Sequence, residues 1–268
     1  MGGIIMFISI TIVSILGCFK YPKIIPILFI TLGFGLVGFV DDFLKLVMKK
    51  TEGLKPSYKM LGLTLVSVVY VCYLVFGLDI GTDTYIPFIK TTIIFPTWLY
   101  IPFAVFVMLA STNCLNLTDG LDGLATGITA IIMTFFTVVG ILLGVNEVSF
   151  IGTVITGACL GFLLFNLYPA KVIMGDTGSL ALGGAFSAIA LYLHIPFILV
   201  IVAGICVVEG ISVILQVGSY KLRGKRIFKM APIHHHLELS GWKETRIVWL
   251  FWIITFVLCA IGVLSIKG

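Results

Sequence analysis

The sequence predicts an all-α polytopic membrane protein with about nine transmembrane helices, and three observations predict it. Of its 268 residues, 60% are hydrophobic and 11% charged, with a mean hydropathy of +1.19. A soluble domain is about 45–50% apolar and about 25% charged. Nine apolar runs of about 20 residues, the length a bilayer requires, account for roughly 180 residues. The charges between those runs fall predominantly on one side of the membrane. Disorder, a collagen-like chain and a disulfide scaffold are excluded by the same composition, and the chain reads as one integral-membrane domain over 1–268.

The runs are 4–19, 24–40, 60–78, 97–115, 124–144, 150–167, 179–194, 196–217 and 247–266. The first has no Lys or Arg ahead of it and no small-residue cleavage site, so it reads as a span and not as a signal peptide. The second closes on Gly-Phe-Val immediately before Asp41 and Asp42, and a lysine-rich gap separates it from the third. The fourth opens at Trp98 and Tyr100, aromatic residues suited to a membrane interface. A polar, glycine-containing stretch, 116–125, divides the fourth from the fifth. Lys171 and Asp176 lie between the sixth and the seventh, which meets the eighth at the tight turn His194-Ile195-Pro196. The longest polar stretch, 218–246, precedes the ninth, where Trp249 repeats the interfacial signal. The six cysteines are scattered singly, with no C-x-x-C pair, and read as small apolar packing residues.

Charge orients these spans. The gaps after the second, fourth, sixth and eighth hold 13 of the 17 basic residues, among them Lys45, Lys50, Lys59, Lys221 and Arg223. Only Lys20, Lys23, Lys90 and Lys267 fall on the other side. The positive-inside rule makes the rich side cytoplasmic. Eight of the twelve acidic residues share it, namely Asp41, Asp42, Glu52, Asp119, Asp122, Asp176, Glu238 and Glu244.

Five of those acids sit at span ends: Asp41 and Asp42 after the second, Asp119 and Asp122 before the fifth, and Asp176 three residues before the seventh. Any one of them reads equally well as a helix cap; five on one face read as a site. Two carboxylates 4 Å apart repel by about 4 kcal/mol at an effective dielectric of 20, so converging acids must share protons or hold a cation. Oxygen-only ligands select a hard ion, and Mg2+ usually takes one or two carboxylates plus substrate phosphates. Cytoplasmic acids, Mg2+ and nearby lysines together suggest a phosphate-bearing substrate. The triplet His234, His235 and His236 cannot all address one metal, and no second ligand cluster completes a zinc site. Beside basic residues it reads as a phosphate-binding or proton-handling element, while the flanking cations read as a lipid anchor. Glu209, deep in the eighth run, and Gln216, two turns further on, are either interhelical glue or functional groups.

Four motifs, Gly-Phe-Val-Asp-Asp-Phe-Leu-Lys (38–45), Asn-Leu-Thr-Asp-Gly-Leu-Asp-Gly-Leu-Ala (116–125), Met-Gly-Asp-Thr-Gly-Ser-Leu-Ala-Leu-Gly-Gly (174–184) and Pro-Ile-His-His-His-Leu-Glu (232–238), resemble the signatures of the phospho-N-acetylmuramoyl-pentapeptide-transferase (MraY) family, within the polyprenyl-phosphate sugar-1-phosphate transferases. The resemblance implies Mg2+-dependent transfer from UDP-MurNAc-pentapeptide to undecaprenyl phosphate, giving lipid I and UMP in peptidoglycan synthesis at the bacterial cytoplasmic membrane. It implies that Asp176 binds Mg2+ with Asp119, and that Asp41 deprotonates or orients the lipid phosphate with Asp42 beside it. Asn116, Asp119 and Asp122 would hold the uridine nucleotide, and His234 and His235 the substrate phosphate or sugar. Lys45, Lys59, Ser179, Gln216 and His236 would support substrate binding. The bilayer is the implied setting, a homodimer is compatible with the resemblance, and nucleic acid has no place in it.

Two departures qualify the resemblance. Family members usually carry ten spans and a Lys and a Thr-Pro-Thr stretch ahead of Met-Gly-Gly, so the expectation is an N-terminal truncation or a misplaced start codon, with weak or no activity as written. Ile173 stands where the family usually has a Phe that stacks on uracil, which predicts altered nucleotide affinity. Two rival readings are a UDP-GlcNAc:polyprenyl-phosphate GlcNAc-1-phosphate transferase and an ion-coupled transporter. A transporter would place its polar groups near the midplane, where only Glu209 falls. The sequence leaves open a phospho-enzyme route, but direct attack by the lipid phosphate is the preferred expectation.

Overall fold

The computed structural model describes residues 2–49 and 53–267; Lys50 and Glu52, counted above among the cytoplasmic charges, lie outside the described residues. The chain folds as a helical bundle of α1 (Gly3–Cys18), α2 (Ile25–Leu46), α3 (Pro56–Cys72, continued as a π-helical turn to Gly77), α4 (Thr97–Thr118), α5 (Leu124–Leu143), α6 (Asn146–Asn166), α7 (Gly175–Tyr192), α8 (Leu199–Val202), α9 (Gly204–Arg223), α10 (Ile233–Glu238) and α11 (Glu244–Lys267). The signals at the ends are those a helix demands. Pro56 opens α3 where a missing N–H costs nothing, and Gly144 and Gly224 close α5 and α9 in the left-handed conformation.

Among the described residues, seven helices are long and apolar enough to cross a membrane: Pro22–Leu46, Pro56–Gly77, Thr97–Thr118, Leu124–Leu143, Asn146–Asn166, Gly204–Arg223 and Glu244–Ile266. Large apolar side chains such as Ile12, Leu16, Phe106, Leu164 and Leu264 stand exposed around the bundle. A contiguous apolar surface of that kind is untenable in water and natural in lipid. Of the six cysteines, all free, Cys159, Cys206 and Cys259 are buried in the packing.

At the centre lies α7, buried without interruption from Thr177 to Leu191 and packed chiefly against α2 and α4. Its interior face is built of Gly, Ala and Ser, which lets backbones approach closely where lipid provides no hydrophobic drive between helices. The approach is closest at Gly38 of α2, where a Cβ would stand 2.2 Å from the carbonyl oxygen of Asp176. Polar side chains link the helices within the bundle: Tyr70 donates to the Ala188 carbonyl at 2.8 Å, and Thr126 to Asn166 at 2.7 Å.

Besides the four-residue earlier starts of α3 and α6, four departures from the hydropathic reading each have a physical reason. The second helix does not close at residue 40. It continues to Leu46, so Asp41, Asp42 and Lys45 lie on its last turns, where Asp41 and Lys45 form an i,i+4 ion pair at 2.5 Å. The seventh begins at Gly175, four residues early, so Asp176 lies in its first turn and not in a loop before it; α2 supplies the cap, as described below. The eighth run is not one helix to 217. A 3-10 turn (Pro196–Ile198) and α8 lead to a break at Ala203, and α9 then runs on to Arg223. Between α3 and α4 the chain forms an antiparallel hairpin, β1 (Asp83–Ile86) and β2 (Thr91–Ile94), with Asp83 opposite Ile94. It is tied to the turn after α7 by the Tyr85 N–H donating to the His194 carbonyl at 2.8 Å.

Candidate active site

At the end of the bundle away from the hairpin, the C-terminal turns of α2 and α4 meet the N-terminal turns of α3 and α7. Asp42 is spent on architecture. Its Oδ1 accepts the Asp176 N–H at 3.1 Å, and its Oδ2 accepts the Thr177 N–H at 3.0 Å and the Thr177 hydroxyl at 2.6 Å. A carboxylate on the free N–H groups of a helix start satisfies orphan donors and complements the helix dipole. Asp42 thus caps α7 from another helix.

Asp41, buried, and Asp176, partly buried, complete the junction. The Leu54 N–H donates to Asp41 Oδ1 at 2.8 Å, fixing the segment that leads into α3. Asp176 Oδ2 receives Lys59 Nζ at 2.8 Å and Lys45 Nζ at 3.2 Å, and Oδ1 receives Asn116 Nδ2 at 2.9 Å. The same Asn116 amide reaches Ser179 Oγ at 2.8 Å, so one side chain of α4 aligns two groups of α7. Carboxylate oxygens of Asp41, Asp42 and Asp176 lie within 4.8 Å of one another. An all-oxygen donor set of that size suits a hard divalent cation such as Mg2+.

Asp119 and Asp122 lie one step away. Asp119 ends α4; its burial, with Asp176, Asp42 and Asp122 nearby, holds its carboxyl well above the usual range. Asp122 works as a brace: its Oδ2 accepts the Ala170 N–H at 2.8 Å, and its own N–H donates to Glu244 Oε1 at 2.7 Å. It thereby joins the loops before α5, α7 and α11.

The three histidines diverge. His234 is fully buried, with Nδ1 3.2 Å from Glu209 Oε1 and its ring packed on Gly120. His235 lies against it, the rings tilted by 57° with centroids 4.1 Å apart, and pairs with Glu238 at 2.6 Å. His236 turns toward Phe228 and accepts the Lys229 N–H at 3.1 Å. Gln216 is occupied by the loop after α9, accepting from the N–H groups of Ile227 and Phe228 and donating to the Phe228 carbonyl. Ile173 leaves its side chain exposed while its carbonyl accepts the Gly2 N–H at 2.9 Å.

The structure therefore gathers Asp41, Lys45, Lys59, Asn116, Asp176 and Ser179 at one junction, with Asp119 and His234 bordering it. It sets Asp122, Gln216 and His236 to hold loops around it. Sequence reasoning passed over Glu244 and Thr177, whose roles depend on partners more than 100 positions away, and Glu209 had only its depth to mark it.

Comparison with known proteins places these residues in a family context. The family model for glycosyl transferase family 4 matches residues 24–194. A phospho-N-acetylmuramoyl-pentapeptide-transferase of Acetivibrio thermocellus is 51% identical over 271 residues, covering 100% of this chain and 81% of that protein. A protein of the same name from Clostridium novyi is 50% identical over 272 residues, 99% of this chain and 82% of the relative. Another, from Thermoanaerobacter pseudethanolicus, is 47% identical over 259 residues, 96% of this chain and 80% of the relative.

Proposed function

The chain belongs to glycosyl transferase family 4, alongside the phospho-N-acetylmuramoyl-pentapeptide-transferases, and from that premise we propose that it moves phospho-MurNAc-pentapeptide from UDP-MurNAc-pentapeptide onto undecaprenyl phosphate, forming lipid I and releasing UMP. The observation that carries the reading is the junction itself: Asp176 held by two ammonium groups and an amide at the meeting of four helix ends. Nine crossings, with α1 and α7 joining the seven longer apolar helices, would put this end on the basic, cytoplasmic side of the bacterial cytoplasmic membrane.

The donor set supports a divalent ion. Asp176 and Asp41 would hold Mg2+, with Asp119 next to them, since Asp42 is engaged in capping α7. When bound, Mg2+ would neutralise diphosphate charge and draw electron density from the reacting phosphorus. The rest falls to the chain. Asp41, at the end of α2, orients the acceptor phosphate and takes its proton if one is present. An acceptor oxygen bonds to the sugar-bearing phosphorus of the nucleotide; the bond from that phosphorus to the bridging oxygen breaks, and UMP leaves with the electron pair. Lys45 and Lys59 bring fixed positive charge to the diphosphate, the main requirement in phosphoryl transfer. Asn116 keeps Asp176 and Ser179 aligned, and His234 and His235 border the sugar phosphate. An apolar cavity of about 330 Å³ between α4 and the α8–α9 pair, lined by Phe103, Phe106, Val107, Ile211 and Ile214, offers a polyprenyl tail a path beside this junction.

The test is UMP release in detergent with undecaprenyl phosphate, from UDP-MurNAc-pentapeptide or UDP-GlcNAc, with Mg2+ or with a chelator. It is run on this chain and on a form extended upstream by one span. Mg2+-dependent release from the muramoyl nucleotide is expected. Release from UDP-GlcNAc alone, or from neither by folded protein, would overturn the reading.

A further inference from the structure

Glu209 and His234 form a buried pair, and the transfer chemistry described above gives Glu209 no part. Glu209 lies in α9 with no solvent exposure, at the level of the last turns of α4, where Gly210 packs on Cys114. His234 comes from α10, 25 positions later in the chain, and is equally buried. Glu209 Oε1 and His234 Nδ1 stand 3.2 Å apart. Among the described residues, neither oxygen of Glu209 and neither ring nitrogen of His234 makes a hydrogen bond of good geometry, so the approach of Nδ1 to Oε1 is the nearest thing to a polar partner that either side chain has. An isolated buried carboxylate costs several kcal/mol, so this one is retained for the histidine. The other edge of the ring is equally telling. Nε2 lies over Gly120, where a Cβ would come within 2.3 Å of it, next to Asp119 in the acidic loop. Only glycine leaves that edge of the ring accommodated.

We infer that Glu209 is a positioning residue: its carboxylate accepts Nδ1–H of His234, fixes the imidazole as the Nδ1–H tautomer, and leaves the Nε2 lone pair directed at the acidic loop for the sugar phosphate or its proton. A carboxylate on one imidazole nitrogen sets which nitrogen carries the proton and which is free to act. Without Glu209, imidazole reverts to the Nε2–H form preferred in water, and the edge facing the loop becomes a donor in place of an acceptor. His235 and His236, whose rings answer to Glu238 and Lys229, cannot substitute. The tautomer assignment rests on the 3.2 Å approach of Nδ1 to Oε1; its kinetic consequence rests on the transferase reading.

The experiment uses the full chain in detergent, ¹⁵N-labelled at histidine, with the His234 signals identified by their loss in His234→Asn. Wild-type protein is expected to show Nδ1 protonated and Nε2 bare. Glu209→Leu removes the acceptor without leaving a buried charge and is expected to show the Nε2–H tautomer. Glu209→Gln, whose carbonyl oxygen still accepts, is expected to restore the wild-type pattern. If all three proteins give one tautomer, the inference fails whatever the protein catalyses. In the UMP-release assay, Glu209→Leu is expected to lose about 10²–10⁴-fold in kcat, the usual contribution of a positioned proton-handling group, with KM and melting temperature retained and Glu209→Gln recovering most of the rate. Wild-type kcat in Glu209→Leu would overturn the positioning role. A wild type that shows the Nδ1–H tautomer but releases no UMP would count against the proposed reaction and not against the pair.

Discussion

Removing the cap on α7 separates architecture from chemistry at Asp42. This side chain accepts three hydrogen bonds, two from backbone N–H groups of α7 and one from the Thr177 hydroxyl. Hydrogen bonds to a charged acceptor contribute about 1.5–3 kcal/mol each, though not additively, and loss of an N-cap alone costs about 0.5–2 kcal/mol. Asp42→Ala leaves all three donors unmatched and should destabilise the protein by about 3–5 kcal/mol. Asp42→Asn keeps one carbonyl oxygen at the same place and should lose only about 1–2 kcal/mol. At about 2–4 °C per kcal/mol for a chain of this size, the alanine variant should melt roughly 6–20 °C below wild type. Melting in detergent, read beside UMP release, is the assay. Both variants should lose activity in step with stability, because Asp176 is carried on the turn that Asp42 holds. An alanine variant that melts like wild type yet is inactive would refute the capping argument and return Asp42 to the chemistry.

Two further expectations follow from the same junction. Gly38→Ala sets a Cβ 2.2 Å from the Asp176 carbonyl oxygen and 2.5 Å from its carbon, backbone atoms that cannot rotate away. It should cost about 1–3 kcal/mol and abolish most activity without touching substrate; wild-type melting and turnover would show that α2 and α7 are not so closely apposed. The third expectation concerns pH and Asp119. Its carboxyl titrates above its unfolded value because burial and neighbouring carboxylates disfavour the charge, so its contribution to stability is present at low pH and lost as pH rises through the folded value. With chelator present, wild-type melting temperature should therefore fall relative to Asp119→Asn as pH rises above the ordinary carboxylate range. Parallel curves would remove Asp119 as the responsible group.

The helices were legible because apolar run length is a direct image of bilayer thickness, and the acids were legible because charges at span ends stand out against an apolar chain. What was not legible was set by distant partners. Nothing near Asp42 in sequence says that it caps a helix 134 positions later, and so the true start of α7 was invisible. Asp41 reads as the end of a hydropathic run, although its pairing with Lys45 carries the helix on by six residues. The hairpin strands are four residues each, too short for a periodicity to register, and are fixed in part by the tie between Tyr85 and His194. Glu209 could be seen to lie deep, but its partner on α10 depends on how the loop after α9 folds back. Gln216 organises that fold by three bonds to residues 227 and 228.

The small-residue composition of α7 has a consequence for how the protein is made. Insertion into a bilayer rewards Leu, Ile and Phe and penalises Asp, whereas α7 opens with an aspartate and is built largely of Gly, Ala and Ser. It is absent from the seven helices apolar enough to cross by composition. Such a segment partitions poorly alone and is retained because earlier helices, α2 and α4 above all, offer it a protein surface in place of lipid. The segment bearing Asp176 is therefore expected to settle in the bilayer against Gly38, Asp42 and Asn116, and not alone.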